Sequence, residues 1–198
     1  MIIVLTGGIG SGKSTAAEIL NKVYCYPVYQ ADAAVKRLYL TDSELLNNIE
    51  SDAGRKFRDS QGQFSPALMA DYIFTVPGAV EMVEQRVFPV LLKDFEAWKS
   101  GNEVVVFESA TVLEKPFFKG FGDAVIVVDA PLEVRVERAM IRDGATREKI
   151  MERVARQKMM NDISLGIVPK DVYICSNDGS MSKLQDNLSE IIKDIINK

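Results

Sequence analysis

The chain lacks histidine altogether and is poor in cysteine, and these two features narrow the chemistry it can perform. Its 198 residues contain no histidine and two cysteines. Without histidine the commonest general base is missing, so carboxylates become the candidates for that role. Cys25 and Cys175 lie far apart and without C-x-x-C spacing, which indicates neither a disulfide framework nor a zinc site. We expect both cysteines to be buried as small apolar side chains.

Basic residues do not outnumber acidic ones, and the chain contains no apolar run long enough to span a membrane. The chain has 24 Lys and Arg against 28 Asp and Glu, a net charge of −4. A non-specific duplex binder needs a basic face, so we expect no nucleic-acid partner. The first residues do not resemble a signal peptide. These features predict a cytoplasmic protein without a membrane partner. We expect it to be a monomer or a small homo-oligomer.

What the chain does have, at its start, is a strand, a glycine-rich turn and the beginning of a helix in succession. Ile2 to Leu5 is apolar at every position, as in a parallel strand covered on both faces. Gly7, Gly12, Lys13 and Ser14 then match the phosphate-loop pattern G-x-x-x-x-G-K-[ST]. The motif predicts a cradle for ATP phosphates made of Gly8, Gly10, Ser11, Gly12, Lys13, Ser14 and Thr15.

Each residue type in this loop has a chemical reason. Glycines allow positive φ and close approach, so that backbone N–H groups can turn towards a phosphate. Lys13 supplies a point charge for the γ-phosphate, and the Ser14 hydroxyl is the candidate ligand of a Mg²⁺ ion carried with ATP. The helix that follows directs the positive end of its dipole at the same anion.

Further strands are predicted, and acidic residues follow them. We expect strands within Val23–Tyr29, at Glu103–Phe107, at Ala124–Val128 and at Val172–Cys175. Asp32 follows the first of these, where open α/β sheets place ligand-contacting groups. It is either a catalytic carboxylate or the N-cap of a helix over residues 33–40. Glu108 follows the next strand, and it either lies near the Mg²⁺ site or simply ends the strand.

Two helical segments interrupt the strand pattern. The first covers residues 33–101 and is predicted to be an insertion. In the second, from Arg135 to Lys158, arginines alternate with glutamates at helical spacing, which is typical of a solvated, ion-paired face. The break from Arg142 to Thr146 predicts an arginine on a connection between two helices. A connection of this kind can act as a lid, and an arginine on it can close over the phosphates and stabilise the charge of the transferring group.

With these features in place, the chain resembles the dephospho-coenzyme A kinases from Met1 almost to its end. Thr6–Thr15 matches that family's phosphate loop, and Ala31–Asp32 matches the end of its D-A-D motif, with Gln30 in place of the first Asp. Arg142-Asp143 with Thr146-Arg147 resembles its lid, and Asn177–Gly179 its turn near adenine. Weaker matches lie at Ile73-Phe74, Pro77, Phe88-Pro89 and Thr111–Glu114.

The resemblance implies an α/β fold: a P-loop kinase core with a five-stranded parallel sheet, a helical substrate-binding insertion and a small helical lid. We assign residues 1–32, 102–134 and 168–198 to the core, 33–101 to the insertion and 135–167 to the lid. The implied reaction transfers the γ-phosphoryl group of ATP, with Mg²⁺, to the ribose 3′-hydroxyl of dephospho-coenzyme A. It makes Asp32 the catalytic base beside Lys13 and Arg142, with Arg142 and Asn177 among the ATP contacts and Asp32, Phe74 and Glu108 among the acceptor contacts.

Two other functions remain to be weighed. Small-metabolite kinases of the shikimate or gluconate type also pair a phosphate loop with an acidic residue after the second strand, but the long insertion suits an extended acceptor better. A regulatory nucleotide switch is the alternative from another class. Asp59 to Gly62 matches its D-x-x-G motif formally, but no strand is predicted before it and the guanine motif N-K-x-D is missing.

Overall fold

A computed structural model describes residues 1–157 and 172–198 of the chain. By the density of its backbone contacts the chain divides into two compact units. The first comprises Met1–Tyr29 and Asn102–Lys198, and the second comprises Gln30–Gly101. Residues 158–167 of the expected lid and residues 168–171 of the expected core lie outside the described residues.

The first unit is built on a five-stranded sheet. Its strands are β1 (Ile2–Gly7), β2 (Val28–Gln30), β3 (Val105–Glu108), β4 (Ala124–Asp129) and β5 (Val172–Ser176). They lie in the order β2-β3-β1-β4-β5, and β1 and β3, β1 and β4, and β4 and β5 pair in parallel. Ile3, Val4 and Leu5 are completely buried, because a parallel sheet is covered on both faces and selects strands that are apolar throughout. The predicted five-stranded parallel α/β core is confirmed.

Four described helices belong to this unit: α1 (Lys13–Tyr24), α6 (Leu132–Asp143), α7 (Arg147–Ala155) and α8 (Met181–Ile196). Helix α8 packs its leucine and isoleucine face into the main core beside α1 and the sheet, as its periodicity predicts. Helices α6 and α7 share a smaller core of Val136, Ala139, Ile150 and Val154. Two short 3-10 turns, Val112–Glu114 and Pro116–Phe118, lie between β3 and β4.

The second unit is helical and consists of α2 (Ala31–Thr41), α3 (Ser43–Ala53), α4 (Pro66–Thr75) and α5 (Ala79–Trp98). Ser65 caps α4 through a hydrogen bond from Leu68 N–H, and Pro66 is the first helical residue, as expected. Helix α5 continues through Pro89 as one element. No helix of the described residues combines the length and apolar character needed to cross a membrane.

Cys25 was expected to be buried, and this expectation is wrong. Helix α1 runs to Tyr24, and Cys25 ends it in the left-handed region at φ 56°, with its N–H bonded to Leu20 O. This cap satisfies a terminal carbonyl, and the thiol is exposed. Cys175, on β5, is buried as predicted.

Candidate active site

The glycine-rich loop joins the end of β1 to the start of α1. Its turn is closed by a hydrogen bond from Ser11 N–H to Gly8 O at 3.0 Å. Gly10 and Gly12 have φ values of 74° and 93°, which residues other than glycine rarely adopt. Gly12 is the N-cap of α1 and brings no capping side chain, so first-turn N–H groups of the helix remain available to an anion.

Asn177 fixes this loop from the end of β5. Its Nδ2 donates to Ser11 O at 2.7 Å, and its own backbone N–H donates to Asp129 O at 2.7 Å. A Cβ at Gly12 would lie 2.0 Å from Nδ2, so only glycine fits beside this amide. The sequence placed Asn177 among the ATP contacts. The structure places its side chain against the loop backbone, where it supports the cradle.

Lys13 and Glu108 form an ion pair between the start of α1 and the end of β3. The register of the sheet explains the pairing, because Glu108 lies beside Leu5, two residues before the end of β1. Both side chains are largely buried, with 15% and 9% of their surface exposed. The lysine ammonium is therefore held beside the loop, and Glu108 lies at the end of the sheet from which the loop leaves.

Ser14 is the residue of the phosphate loop that could hold a Mg²⁺ ion. The described residues contain no cluster of three acidic, cysteine or histidine side chains suited to a metal. Mg²⁺ bound with a nucleotide needs few protein ligands, because phosphate oxygens and water complete its shell. Ser14, in the first turn of α1, is exposed, and Thr15 beside it is half-buried. A single hydroxyl ligand at Ser14 fits an ion that arrives with ATP.

Asp32 and Phe74 lie in the second unit. Helix α2 begins at Ala31 with Gln30 as its N-cap, so Asp32 is the second helical residue. The alternative that Asp32 is the N-cap is therefore wrong, because the chain passes from β2 into the helix without an intervening residue. A carboxylate in a first turn still benefits from the helix dipole. Phe74, near the end of α4, exposes 72% of its surface.

Arg142 was expected on the connection between two helices, and this placement is wrong. It lies in the last turn of α6, and the connection starts only at Gly144, the left-handed C-cap. Its guanidinium makes two hydrogen bonds to Asp143, at 2.7 and 3.1 Å, and 61% of its side chain is exposed. The hydrogen bond from Arg142 lowers the pKa of the Asp143 carboxyl. Arg153 of α7 donates to the same carboxylate at 2.8 Å.

Sequence reasoning missed Arg135, which it assigned to a solvated face. Arg135 is 3% exposed and its Nε donates to Ala130 O at 3.0 Å, with Asp129 Oδ1 3.7 Å away. Its own carbonyl would lie 1.9 Å from a Cβ on Gly10. One pattern indicated the burial, because Arg135 lies four residues before Ala139 and therefore on the same side of α6.

A glycine loop between the first strand and first helix, with Lys13 and Ser14 at the helix start, defines a P-loop nucleotide-binding protein. The family model for dephospho-CoA kinase matches residues 1–180. The chain therefore belongs to the dephospho-CoA kinase family.

Curated relatives carry the name of this family, and a solved structure shares the fold over almost the whole chain. A dephospho-CoA kinase of Bacteroides fragilis is 35% identical over 158 residues, covering 78% of this chain and 76% of the relative. One from Leptospira interrogans is 26% identical across 100% of this chain and 94% of its own length. A solved Thermus thermophilus protein superposes with a TM-score of 0.79 at 28% identity, over 98% of this chain and 97% of that one.

More distant structures share the fold alone. A dephospho-CoA kinase from Campylobacter jejuni has a TM-score of 0.64 at 22% identity, covering 98% of this chain and 96% of that one. A shikimate kinase from Bacteroides thetaiotaomicron has a TM-score of 0.52 at 14% identity, over 98% and 96% of the two chains. The likeness to a shikimate kinase shows a shared fold and does not favour the alternative of a shikimate-type kinase.

Proposed function

We propose that the chain transfers the γ-phosphoryl group of ATP to the ribose 3′-hydroxyl of dephospho-coenzyme A, giving coenzyme A and ADP. The observation that carries this proposal is the family match across residues 1–180. The phosphate loop provides what the reaction needs at the nucleotide, since phosphoryl transfer depends on positioning and charge stabilisation more than on covalent chemistry.

In the proposed mechanism the loop N–H groups and the start of α1 hold the β-phosphate. Lys13 moves from Glu108 to the γ-phosphoryl group as charge develops there. Asp32 orients the acceptor hydroxyl and takes its proton. The acceptor oxygen forms a bond to the γ-phosphorus, while the bond between that phosphorus and the oxygen it shares with the β-phosphate breaks and ADP leaves. Arg142 stabilises the transferring group, and Phe74 contacts the acceptor. Bound through Ser14, Mg²⁺ would neutralise charge on the β- and γ-oxygens.

The experiment is to incubate the protein with ATP and Mg²⁺ and one acceptor at a time: dephospho-coenzyme A, shikimate, gluconate or none. We expect two products, ADP and dephospho-coenzyme A phosphorylated at its ribose 3′-hydroxyl, and mass spectrometry would identify both. Turnover with shikimate or gluconate alone would replace the proposal with the small-metabolite alternative. ADP formation without any acceptor would favour a nucleotide switch.

We further propose a cytoplasmic enzyme that uses no nucleic acid or membrane partner and acts as a monomer or small homo-oligomer. The net charge of −4 supports the expectation on nucleic acid. Gel filtration with light scattering would give the oligomeric state, and a retardation assay with duplex DNA at low salt would expose any nucleic-acid binding.

A further inference from the structure

Gln157 follows the end of α7 and reaches the phosphate loop across the sequence. Its side-chain Oε1 accepts a hydrogen bond from Ile9 N–H at 2.8 Å, although the two residues are 148 positions apart. Its backbone N–H donates to Val154 O at 3.0 Å, which ties it to the last turn of α7. A backbone N–H group of the phosphate loop is therefore held by a side chain outside the motif.

The same part of the loop makes two more contacts with the α6–α7 hairpin. The side chain of Ile9 packs against the small core formed by Val136, Ala139, Ile150 and Val154. Gly10 lies so close to Arg135 at the start of α6 that any side chain there would collide with the backbone. The buried guanidinium of Arg135 in turn bonds to Ala130 O, just after β4. Ile9 and Gly10 are thus anchored on the base of the hairpin.

The far end of the hairpin carries Arg142. Arg142 lies seven residues after Arg135 on α6, which is about 10 Å along a helix. The loop and the proposed lid arginine therefore belong to one packed assembly, with the loop at the base and the arginine at the opposite end. Gln157 is a polar link in this assembly, because it satisfies a backbone donor of the loop.

We propose that Gln157 is a positioning residue that holds the phosphate loop on the base of the α6–α7 hairpin in the conformation that binds ATP. This inference rests on the proposed kinase function but concerns the nucleotide half alone. Pre-organising a binding loop lowers the entropy lost on binding. Removing the link should consequently weaken nucleotide binding and leave the affinity for the acceptor unchanged.

Two variants separate the hydrogen bond from other effects. Gln157→Met keeps the length of the side chain and removes the acceptor. The loss of one such hydrogen bond should raise the Kd for ATP about three- to tenfold. Gln157→Glu keeps an acceptor for Ile9 N–H but adds a negative charge beside an anion site. Its loss of ATP affinity should shrink as salt is added. Gln85→Met, on the exposed surface of α5, is the matched control.

Calorimetric ATP binding, amide hydrogen exchange at Ile9 and KM for each substrate are the readouts, with thermal unfolding alongside. We expect Gln157→Met to accelerate exchange at Ile9, raise the Kd and KM for ATP, and preserve the KM for dephospho-coenzyme A and the Tm. Gln157→Glu should keep Ile9 protected. Unchanged exchange and ATP affinity in Gln157→Met would overturn the proposal. Rapid amide exchange at Ile9 in Gln157→Glu would also overturn the proposal. This second measurement can still be made if Gln157→Met does not fold.

ATP binding and exchange are measured without the acceptor. A wild-type protein that fails to phosphorylate dephospho-coenzyme A would overturn the proposed function, yet it would leave the result on Gln157 intact. The two proposals can therefore fail separately.

Discussion

Lys13 of the phosphate loop donates to the Oε1 atom of Glu108, the last residue of β3. The pair couples two roles that the sequence suggested separately, a phosphate-binding lysine and a carboxylate at a strand end. Since both side chains are largely buried, neither can lose its partner without cost. Under the proposed mechanism, we expect a γ-phosphate bound at the loop to compete with Glu108 for the lysine.

We predict that Lys13→Met lowers kcat by about 10²–10³-fold, because a donor to transition-state charge is lost. It should also lower the free energy of unfolding by about 3 kcal/mol, because Glu108 is left buried without its partner. Adding Glu108→Gln to Lys13→Met should restore most of the stability and none of the turnover. Urea unfolding and steady-state kinetics measure the two effects. Lys22→Met, at an exposed lysine of the same helix, is the control, and near-native turnover in Lys13→Met would remove the loop lysine from the mechanism.

Arg142 shares the carboxylate of Asp143 with Arg153, and this second arginine provides a control for the role of Arg142. Arg142→Ala should lower kcat by about 10³-fold, because an arginine that reaches the transferring phosphoryl group contributes on that scale. The KM for dephospho-coenzyme A should change little. Arg153 also bonds to Asp143, so Arg153→Ala controls for disruption of that ion pair. A large loss in Arg138→Ala with none in Arg142→Ala would assign the role to Arg138, which contacts Asn177 O at 3.1 Å.

The sequence predicted best those elements whose information is local. The loop follows from its glycines and Lys-Ser pair, and the α4 boundary follows from Ser65 and Pro66. The buried parallel strands follow from unbroken apolar runs, with ends displaced by one or more residues. For example, β3 extends to Glu108 instead of stopping at Phe107, because pairing with β1 continues for one residue after the apolar run ends.

The contacts that assemble the loop could not be predicted, because they join residues brought together only by topology. Nothing around Gln157 signals Ile9, and nothing around Asn177 signals Ser11. Arg142 shows a related limit: Gly144 marked the break correctly, yet the helix continues to Asp143, because arginine itself is a good helix former. Cys25 was placed in the core by its residue type, whereas a helix C-cap decided its exposure.

The two cysteines should differ in reactivity. At pH 8 a small thiol reagent should modify Cys25 in the folded protein and spare Cys175, whose pKa is raised to about 11 by burial. Mass spectrometry should find one label on the native protein and two in denaturant. Cys25→Ser should leave the native protein unlabelled, and rapid labelling of Cys175 in that variant would contradict its burial.

Glu50 should make the stability of the second unit depend on pH. The carboxylate is buried, and this desolvation raises its pKa, but hydrogen bonds from Phe57 N–H, Lys56 and Arg58 outweigh it and hold the pKa below 4.5. A lowered pKa means that the contribution to stability is complete above pH 4.5 and disappears as the pH falls through the folded-state pKa.

Glu50→Gln should therefore lower the free energy of unfolding by about 2 kcal/mol at pH 7, since hydrogen bonds to a charged group are lost. Urea unfolding from pH 7 to pH 3 should show the difference from wild type shrinking below pH 4.5. Asp52→Asn, two residues along the same helix, removes an exposed ion pair with Arg86 and should have little effect. A Glu50→Gln deficit that stayed constant down to pH 3 would mean that packing, and not charge, is responsible.

The last prediction concerns Asp32 as the group that orients and deprotonates the acceptor hydroxyl. Asp32→Asn should lower kcat by about 10²–10⁴-fold and leave ATP affinity nearly unchanged, because a positioned base contributes on that scale. Phosphoryl transfer through a loose transition state demands little of a base, so a loss at the low end would indicate orientation of the hydroxyl more than removal of its proton.

Position in the helix provides the control for Asp32. The residue lies in the first turn of α2, where removing a negative charge weakens the interaction with the helix dipole by about 0.3–1 kcal/mol. Glu44 occupies the first turn of α3, so Glu44→Gln reproduces this structural effect without touching the proposed chemistry. We expect both variants to shift the Tm by similar small amounts and only Asp32→Asn to lose kcat. If Asp32→Asn retained its kcat while Glu108→Gln lost it, the catalytic carboxylate would be Glu108, and Asp32 would act only on the helix.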